Sequence, residues 1–261
     1  LEVIGLLRES AQKAVAADPN LADGHIELGA LAMAFDWDPV TAKREFDRAA
    51  QLDPNSAYVQ FWLGEYYSNI AHDDAKARAA FQRGRTLDPL SAWYSAYESK
   101  SALNAGQDAD ALRLAQEAMN IDPGFFFGTD PVANVYAGLG KWQDCIARYQ
   151  ALLPSAPVAG NYQLGVCYIR AGEVDKGKAI LAGLESRRGY VDKTKLAALY
   201  VALGEKDRAL AALEQAYRER SPVMNSLEVN GMLRPLADDP RFKALVAKMK
   251  DSSKASPAPA G

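Results

Sequence analysis

The chain has 261 residues, of which 49% are hydrophobic and 24% charged. That is enough apolar material for a large core, or for one long core shared between repeats, and too much for a disordered chain. A formal net charge of −3, from 30 basic and 33 acidic residues, leaves no basic excess to neutralise phosphates, which argues against nucleic-acid binding and against docking on anionic lipid; no run of about eighteen apolar residues marks a membrane-spanning helix.

In chain order, Leu6 to Ala17 carries Leu7, Ala11, Ala14 and Val15 on one stripe at helical spacing. It reads as the second helix of a hairpin whose partner lies upstream of Leu1. A helix follows from Ala22 to Ala34, a turn at Asp36, Asp38 and Pro39, and a returning helix from Val40 to Leu52. Short polar turns of this kind join antiparallel helices. The pattern recurs over Ala57 to Leu87, Ala92 to Ile121 and Phe126 to Leu153, then in looser copies over Val158 to Arg188, with a bend at Gly189, and Tyr190 to Arg220. The pairs Asp18-Pro19, Asp53-Pro54, Asp88-Pro89, Asp122-Pro123 and Ala156-Pro157 set prolines at steps of 35, 35, 34 and 34 residues, the regular period of a helical solenoid. Leu227 to Lys250 breaks the period at Pro235 and restarts a helix at Asp239-Pro240. The resulting division is 1–21 as a truncated repeat, 22–223 as about six hairpins, 224–250 as a C-terminal cap and 251–261 as a disordered tail rich in proline and small residues.

No catalytic set emerges. The two histidines, His25 and His72, fall in different hairpins and read as polar-face or turn residues; His72-Asp73-Asp74 sits where a turn and a helix N-cap belong. Gly138-Leu139-Gly140-Lys141 lacks the frame of a phosphate loop and the strand before it. The acidic pairs Asp73-Asp74 and Asp238-Asp239 have no apolar surroundings in sequence that would tune one carboxyl for acid–base work. The chain therefore reads as a non-enzyme without cofactor or metal. Cys145, at a small-residue packing position, and Cys167, in the next hairpin, read first as two buried thiols acting as small hydrophobes; a disulfide between them needs an oxidising compartment and close Cα atoms.

The chain resembles a tetratricopeptide repeat (TPR) array up to about Pro222. Leu28-Gly29, Leu63-Gly64 and Leu164-Gly165 occupy that family's Leu-Gly positions, and Ala42, Ala77, Ala111 and Ala209 its small position on the second helix. Phe46, Phe81, Tyr67, Tyr136 and Tyr200 supply the bulk between hairpins. The third repeat departs from the pattern, with Ser95, Glu98 and Ser99 where an aromatic, Leu and Gly belong, and is expected to be shifted in register or tilted. The stretch from Leu233 to Met249 is similar to the ending of TPR arrays in bacterial signalling proteins, as is the stretch from Phe35 to Pro54. That likeness implies capping roles for Leu233, Leu236, Pro240, Phe242 and Leu245, with Arg241 paired to Asp238 or Asp239.

The resemblance implies an all-α, right-handed α–α superhelix. It places the second, fifth, ninth, twelfth and thirteenth positions of each first helix on a concave face: Tyr58, Phe61, Glu65 and Asn69; Trp93, Lys100 and Asn104; Phe127, Asp130 and Asn134; Tyr162 and Arg170. Aromatic area with few rotors, edged by amides, suits a peptide segment or a protrusion of a folded partner. A competing reading makes Tyr58, Phe61 and Trp93 packing between repeats. Because Asp130 precedes Asn134, an acidic C-terminal tail is a poor ligand on this reading. The implied role is a protein-interaction or sensing module of a larger bacterial signalling protein; the rival role is a stand-alone scaffold or adaptor in a cell-envelope complex. Compartment, cytoplasmic or periplasmic, and oligomeric state stay open.

Overall fold

The computed structural model describes residues 2–125, 130–152 and 161–252. After α1 (Glu2–Ala17) come six antiparallel pairs: α2 (Ala22–Leu31) with α3 (Pro39–Leu52), α4 (Ala57–Tyr66) with α5 (Asp74–Leu87), α6 (Ala92–Asn104) with α7 (Asp108–Ile121), α8 (Pro131–Gly138) with α9 (Trp142–Leu152), α10 (Tyr162–Arg170) with α11 (Val174–Glu185), and α12 (Lys193–Leu203) with α13 (Lys206–Arg218). Two 3₁₀ segments, Pro222–Val229 and Gly231–Leu236, lead to α14 (Pro240–Ser252), which continues two residues into the expected tail. Residues 253–261 lie outside the described residues, as do Phe126, Leu153, Pro157 and Val158 among the expected repeat boundaries.

Each pair closes on a small residue. The fourth position of the second helix is Ala42, Ala77, Ala111, Cys145, Gly177 or Ala209, buried in all six hairpins. Across the seam, a Cβ added at Gly29 would stand 2.5 Å from the Phe46 ring, and Gly64 is covered by Phe81 in the same way. Only a residue without a side chain lets the backbone approach a ring so closely. In the third hairpin Ser99 takes the glycine's place and its hydroxyl donates to the Ala111 carbonyl at 2.9 Å. The expected shift in register is therefore not seen, because a serine is small enough to fit and finds its own acceptor. Its neighbour Glu98, 2% exposed, faces α5, where Oε1 accepts from Gln82 at 3.2 Å and Arg85 Nη1 stands 3.3 Å from Oε2.

The change of period from 35 to 34 has a local cause. In the first two hairpins the first helix widens into a π-turn, Ala32–Asp36 and Tyr67–Ala71, and the turn closes through Asp38 N–H to Ala32 O and Asp73 N–H to Tyr67 O. The other four close one residue sooner, as in Gln107 N–H to Ala102 O and Glu205 N–H to Tyr200 O. All six turns then pass through a left-handed residue. It is Gly106, Gly140, Gly172 and Gly204 in the later hairpins, and Trp37 (φ 55°) and His72 (φ 51°) in the first two. A side chain in that region costs about 1–2 kcal/mol, so these two turns hold their side chains out at a local cost.

Both side chains meet the C-terminal segment. Trp37 packs on Tyr217, ring centroids 5.2 Å apart, and lies beneath the Arg220 guanidinium. Asn225 Nδ2 donates to the Met33 carbonyl at 3.3 Å, and His72 Nε2 stands 3.7 Å from Glu228, which also pairs with Lys250 at 2.7 Å. The superhelix thus closes on itself, its last turns seated on its first two. Leu233, Leu236, Phe242 and Leu245 are buried beneath the end of the array, and Arg241 pairs with Asp239 at 2.9 Å and with Asp207 at 2.7 Å.

His25 differs from its expected surface role. It is buried, with Nδ1 2.7 Å from Glu45 Oε2 and Nε2 3.2 Å from the Pro19 carbonyl, so it ties α2 to α3 and to the preceding turn. Burial pushes the Glu45 carboxyl up, but hydrogen bonds from His25 and Arg44 outweigh it and hold the carboxyl below its ordinary range. His72 is the turn residue expected, and the Asp73 carboxylate caps α5 by accepting from Lys76 N–H.

Candidate functional site

Closure turns part of the concave face into a cavity of about 1090 Å³, walled by α6, α8, α10 and α12 and covered by the segment from Val223 to Pro235. Of the residues expected on that face, Lys100, Asn104, Asn134, Tyr162 and Arg170 line this cavity together. Phe127 lies outside the described residues. Tyr58, Phe61, Glu65, Asn69 and Trp93 are not part of it.

The second group does other work. Phe61 stands edge-on to Trp93 at 5.6 Å and to Tyr97 at 4.8 Å, Trp93 stacks on Tyr97 and meets Phe125 at 5.5 Å, and Tyr58 lies edge-on to Trp62. The Tyr58–Trp62 pair lies within α4 and the Trp93–Tyr97 pair within α6, while the Phe61 contacts join α4 to α6 and the Trp93 contact reaches onward to Phe125, each contributing about 0.5–1.5 kcal/mol beyond area burial. For Phe61 and Trp93 the packing reading describes the geometry. Tyr58, 42% exposed, also donates through its hydroxyl to Glu27 at 3.3 Å. Asn69 is buried; its Nδ2 donates to the Glu65 carbonyl and its Oδ1 accepts from Lys100 Nζ at 3.2 Å, which holds Lys100 at the cavity wall. Burial and then the Glu65 carboxylate push the Tyr97 phenol well above its ordinary range.

Within the cavity, Gln163 links two hairpins. Its Oε1 accepts from the buried Tyr149 hydroxyl and its Nε2 donates to Asn134 Oδ1 at 3.4 Å. The half-buried Tyr162 phenol is pushed up to about 12, first by burial and then by the nearby Asp192 carboxylate, so it is neutral and able to donate at any physiological pH. Asp130 is not a groove residue. It is fully buried, caps α8 through Ala133 N–H at 2.7 Å and receives Arg148 at 2.8 Å; the carboxylate faces its own hairpin because a helix N-terminus and a guanidinium both lie there. The objection to an acidic ligand therefore falls. Sequence reasoning missed Trp142, Asn230 and Arg234, which also line the cavity: Trp142 opens the second helix of its hairpin, outside the first-helix positions considered, and Asn230 and Arg234 belong to the covering segment, which has no place in the repeat.

The reading of Cys145 and Cys167 as free thiols is also corrected. They form a disulfide with Cα atoms 6.4 Å apart. Cys145 sits at the seam position of α9, where small residues let helices approach, and α10 brings Cys167 within the range a disulfide spans.

The class defined by this geometry is an all-α superhelix of TPR-type hairpins. No protein-family profile and no curated protein matches the chain. Among solved structures, the fold is similar to the APC/C hetero-tetramer Cut9–Hcn1, with a TM-score of 0.62 and 16% identity over 94% of this chain and 46% of that one. It is similar also to the human IFIT1 dimer with m7Gppp-AAAA, with a TM-score of 0.64 and 14% identity over 95% of this chain and 64% of that one. The chain spans less than two thirds of either, and at these identities the likeness concerns the fold.

Among the described residues no helix is long and apolar enough to cross a membrane, and no group of three or more His, Cys, Asp or Glu is placed to hold a metal ion.

Proposed function

We propose that this chain is a non-catalytic protein-interaction module that receives a segment of a partner on its concave face. The observation that carries the reading is the convergence of Lys100, Asn104, Asn134, Tyr162 and Arg170 on one cavity. Apolar walls with a few convergent donors and acceptors are the general make-up of a binding site.

Of the two roles read from the sequence, the disulfide favours the adaptor of a cell-envelope complex over the sensing module of a bacterial signalling protein, since disulfides persist in oxidising compartments such as the periplasm. Partner capture by the wild type and by an Asn134→Ala, Tyr162→Ala variant tests the concave site. Loss of the partner in the variant, with unchanged circular dichroism, is expected. Equal capture would move the interface to another face.

A further inference from the structure

The charge inside the cavity says what chemistry its occupant carries. Among the described residues its charged lining comprises Lys100 from α6, Arg170 from α10 and Arg234 from the covering segment, against Asp108. A chain of net charge −3 thus encloses a concave space with an excess of two positive charges, where the walls focus the field.

The cations are not spent on internal pairs. Arg85 and Arg148, elsewhere in the array, are each met by carboxylates. Arg170 and Arg234 are exposed and form no ion pair with any described residue, and Lys100 donates to the neutral Asn69 amide and stands over the Tyr97 ring, 5.8 Å from its centroid. The rest of the wall mixes apolar side chains, Leu103, Phe125, Leu139, Trp142 and Val166, with neutral polar ones such as Asn104, Asn134, Gln163 and Asn230. The volume, about 1090 Å³, is that of a compact ligand site and too small for a folded protrusion.

We propose that the cavity binds an amphipathic anion, a ligand with one or two negative charges on an apolar body, its charge held between Arg170 and Arg234. This names the ligand chemistry of the concave site and rests on that reading. Because Arg234 belongs to the covering segment and Arg170 to the array, such a ligand also bridges the two. A small organic anion and an acidic, apolar chain end share this chemistry.

The test uses 8-anilinonaphthalene-1-sulfonate as the anionic probe and the uncharged N-phenyl-1-naphthylamine as its counterpart, titrated into the full chain by fluorescence. The wild type is expected to bind the anion at one site. Arg170→Gln with Arg234→Gln should weaken it about tenfold or more, the loss of a charge-assisted contact, while the uncharged probe is unaffected; Arg170→Lys with Arg234→Lys should restore much of the loss. Competition with an acidic, apolar pentapeptide and with its amide counterpart separates the two sources. Displacement by the acidic form alone assigns a chain end, and displacement by neither assigns a small anion. Equal affinity of wild type and the glutamine variant for the anion would overturn the proposal while leaving the concave site standing if the uncharged probe still binds. Absence of binding by both probes would overturn it as well, and partner capture then decides separately on the concave site.

Discussion

The Arg220 guanidinium lies over the face of Trp37, 4.4 Å from its ring, and so joins the end of the last hairpin to the turn of the first. Hairpins in a solenoid ordinarily touch only their neighbours. Here the contact between the two ends rests on a π-turn that displays Trp37 from a left-handed backbone.

Replacing the two left-handed side chains by glycine should separate contact from strain. Trp37→Gly removes a buried ring and is expected to destabilise by about 3 kcal/mol or more. His72→Gly gives up only a half-exposed pair at 3.7 Å, worth about 0–1 kcal/mol, and relieves the backbone, so it should be neutral or stabilising by up to about 1 kcal/mol. Chemical denaturation measures both; equal losses would mean that the turns do not differ in what they hold.

The disulfide closes a loop of 22 residues between the fourth and fifth hairpins. Its removal by Cys145→Ala with Cys167→Ala should cost about 3 kcal/mol. Thiol titration of denatured, unreduced protein from its native compartment should find no free thiol. Two free thiols would contradict the pairing and the oxidising compartment with it.

Seam packing gives a direct check on the hairpin register. Ala77 is fully buried at the small position of α5. Ala77→Leu should overfill the seam and cost about 1–3 kcal/mol, seen as a lowered melting temperature. An unchanged melt would place the seam elsewhere.

Glu98 should make the fold sensitive to pH. Burial raises its carboxyl above the ordinary range, against the Arg85 charge and the Gln82 hydrogen bond. A raised carboxyl binds its proton more tightly in the folded state, so stability falls as pH rises from the ordinary carboxylate value through the raised one. Glu98→Gln removes that dependence, so its stability relative to wild type should rise as pH rises through the raised carboxyl range and fall back under acid. A relative stability that falls as pH rises would show that the Arg85 pair outweighs the burial.

The hairpins were legible because each is a local event: a helical stripe, an Asp-Pro boundary and a small residue at a fixed position. Even the change of period from 35 to 34 is visible in the prolines, although its cause, a π-turn, is not. The third hairpin misled because Ser99 and Glu98 break the apolar pattern, and the pattern does not reveal that Ser99 bonds to Ala111 or that Glu98 meets Arg85. Position in the repeat selects Lys100, Asn104, Asn134, Tyr162 and Arg170, which line the cavity. The same rule also selected Phe61 and Trp93, since a position on the inner face says nothing of whether the neighbouring helix covers it. Arg234 has no position in the repeat, because it belongs to the segment that follows the last hairpin and packs on α12, and the disulfide depends on an inter-helix distance that spacing alone does not fix.

The concave site is tested most directly by a photo-reactive side chain placed at Asn134, on the cavity wall, with the same group placed at the exposed Val40 on α3 as its control. Cross-linking of one partner from position 134 and not from position 40 is the expected result. The same partner captured from position 40 alone would contradict the concave site.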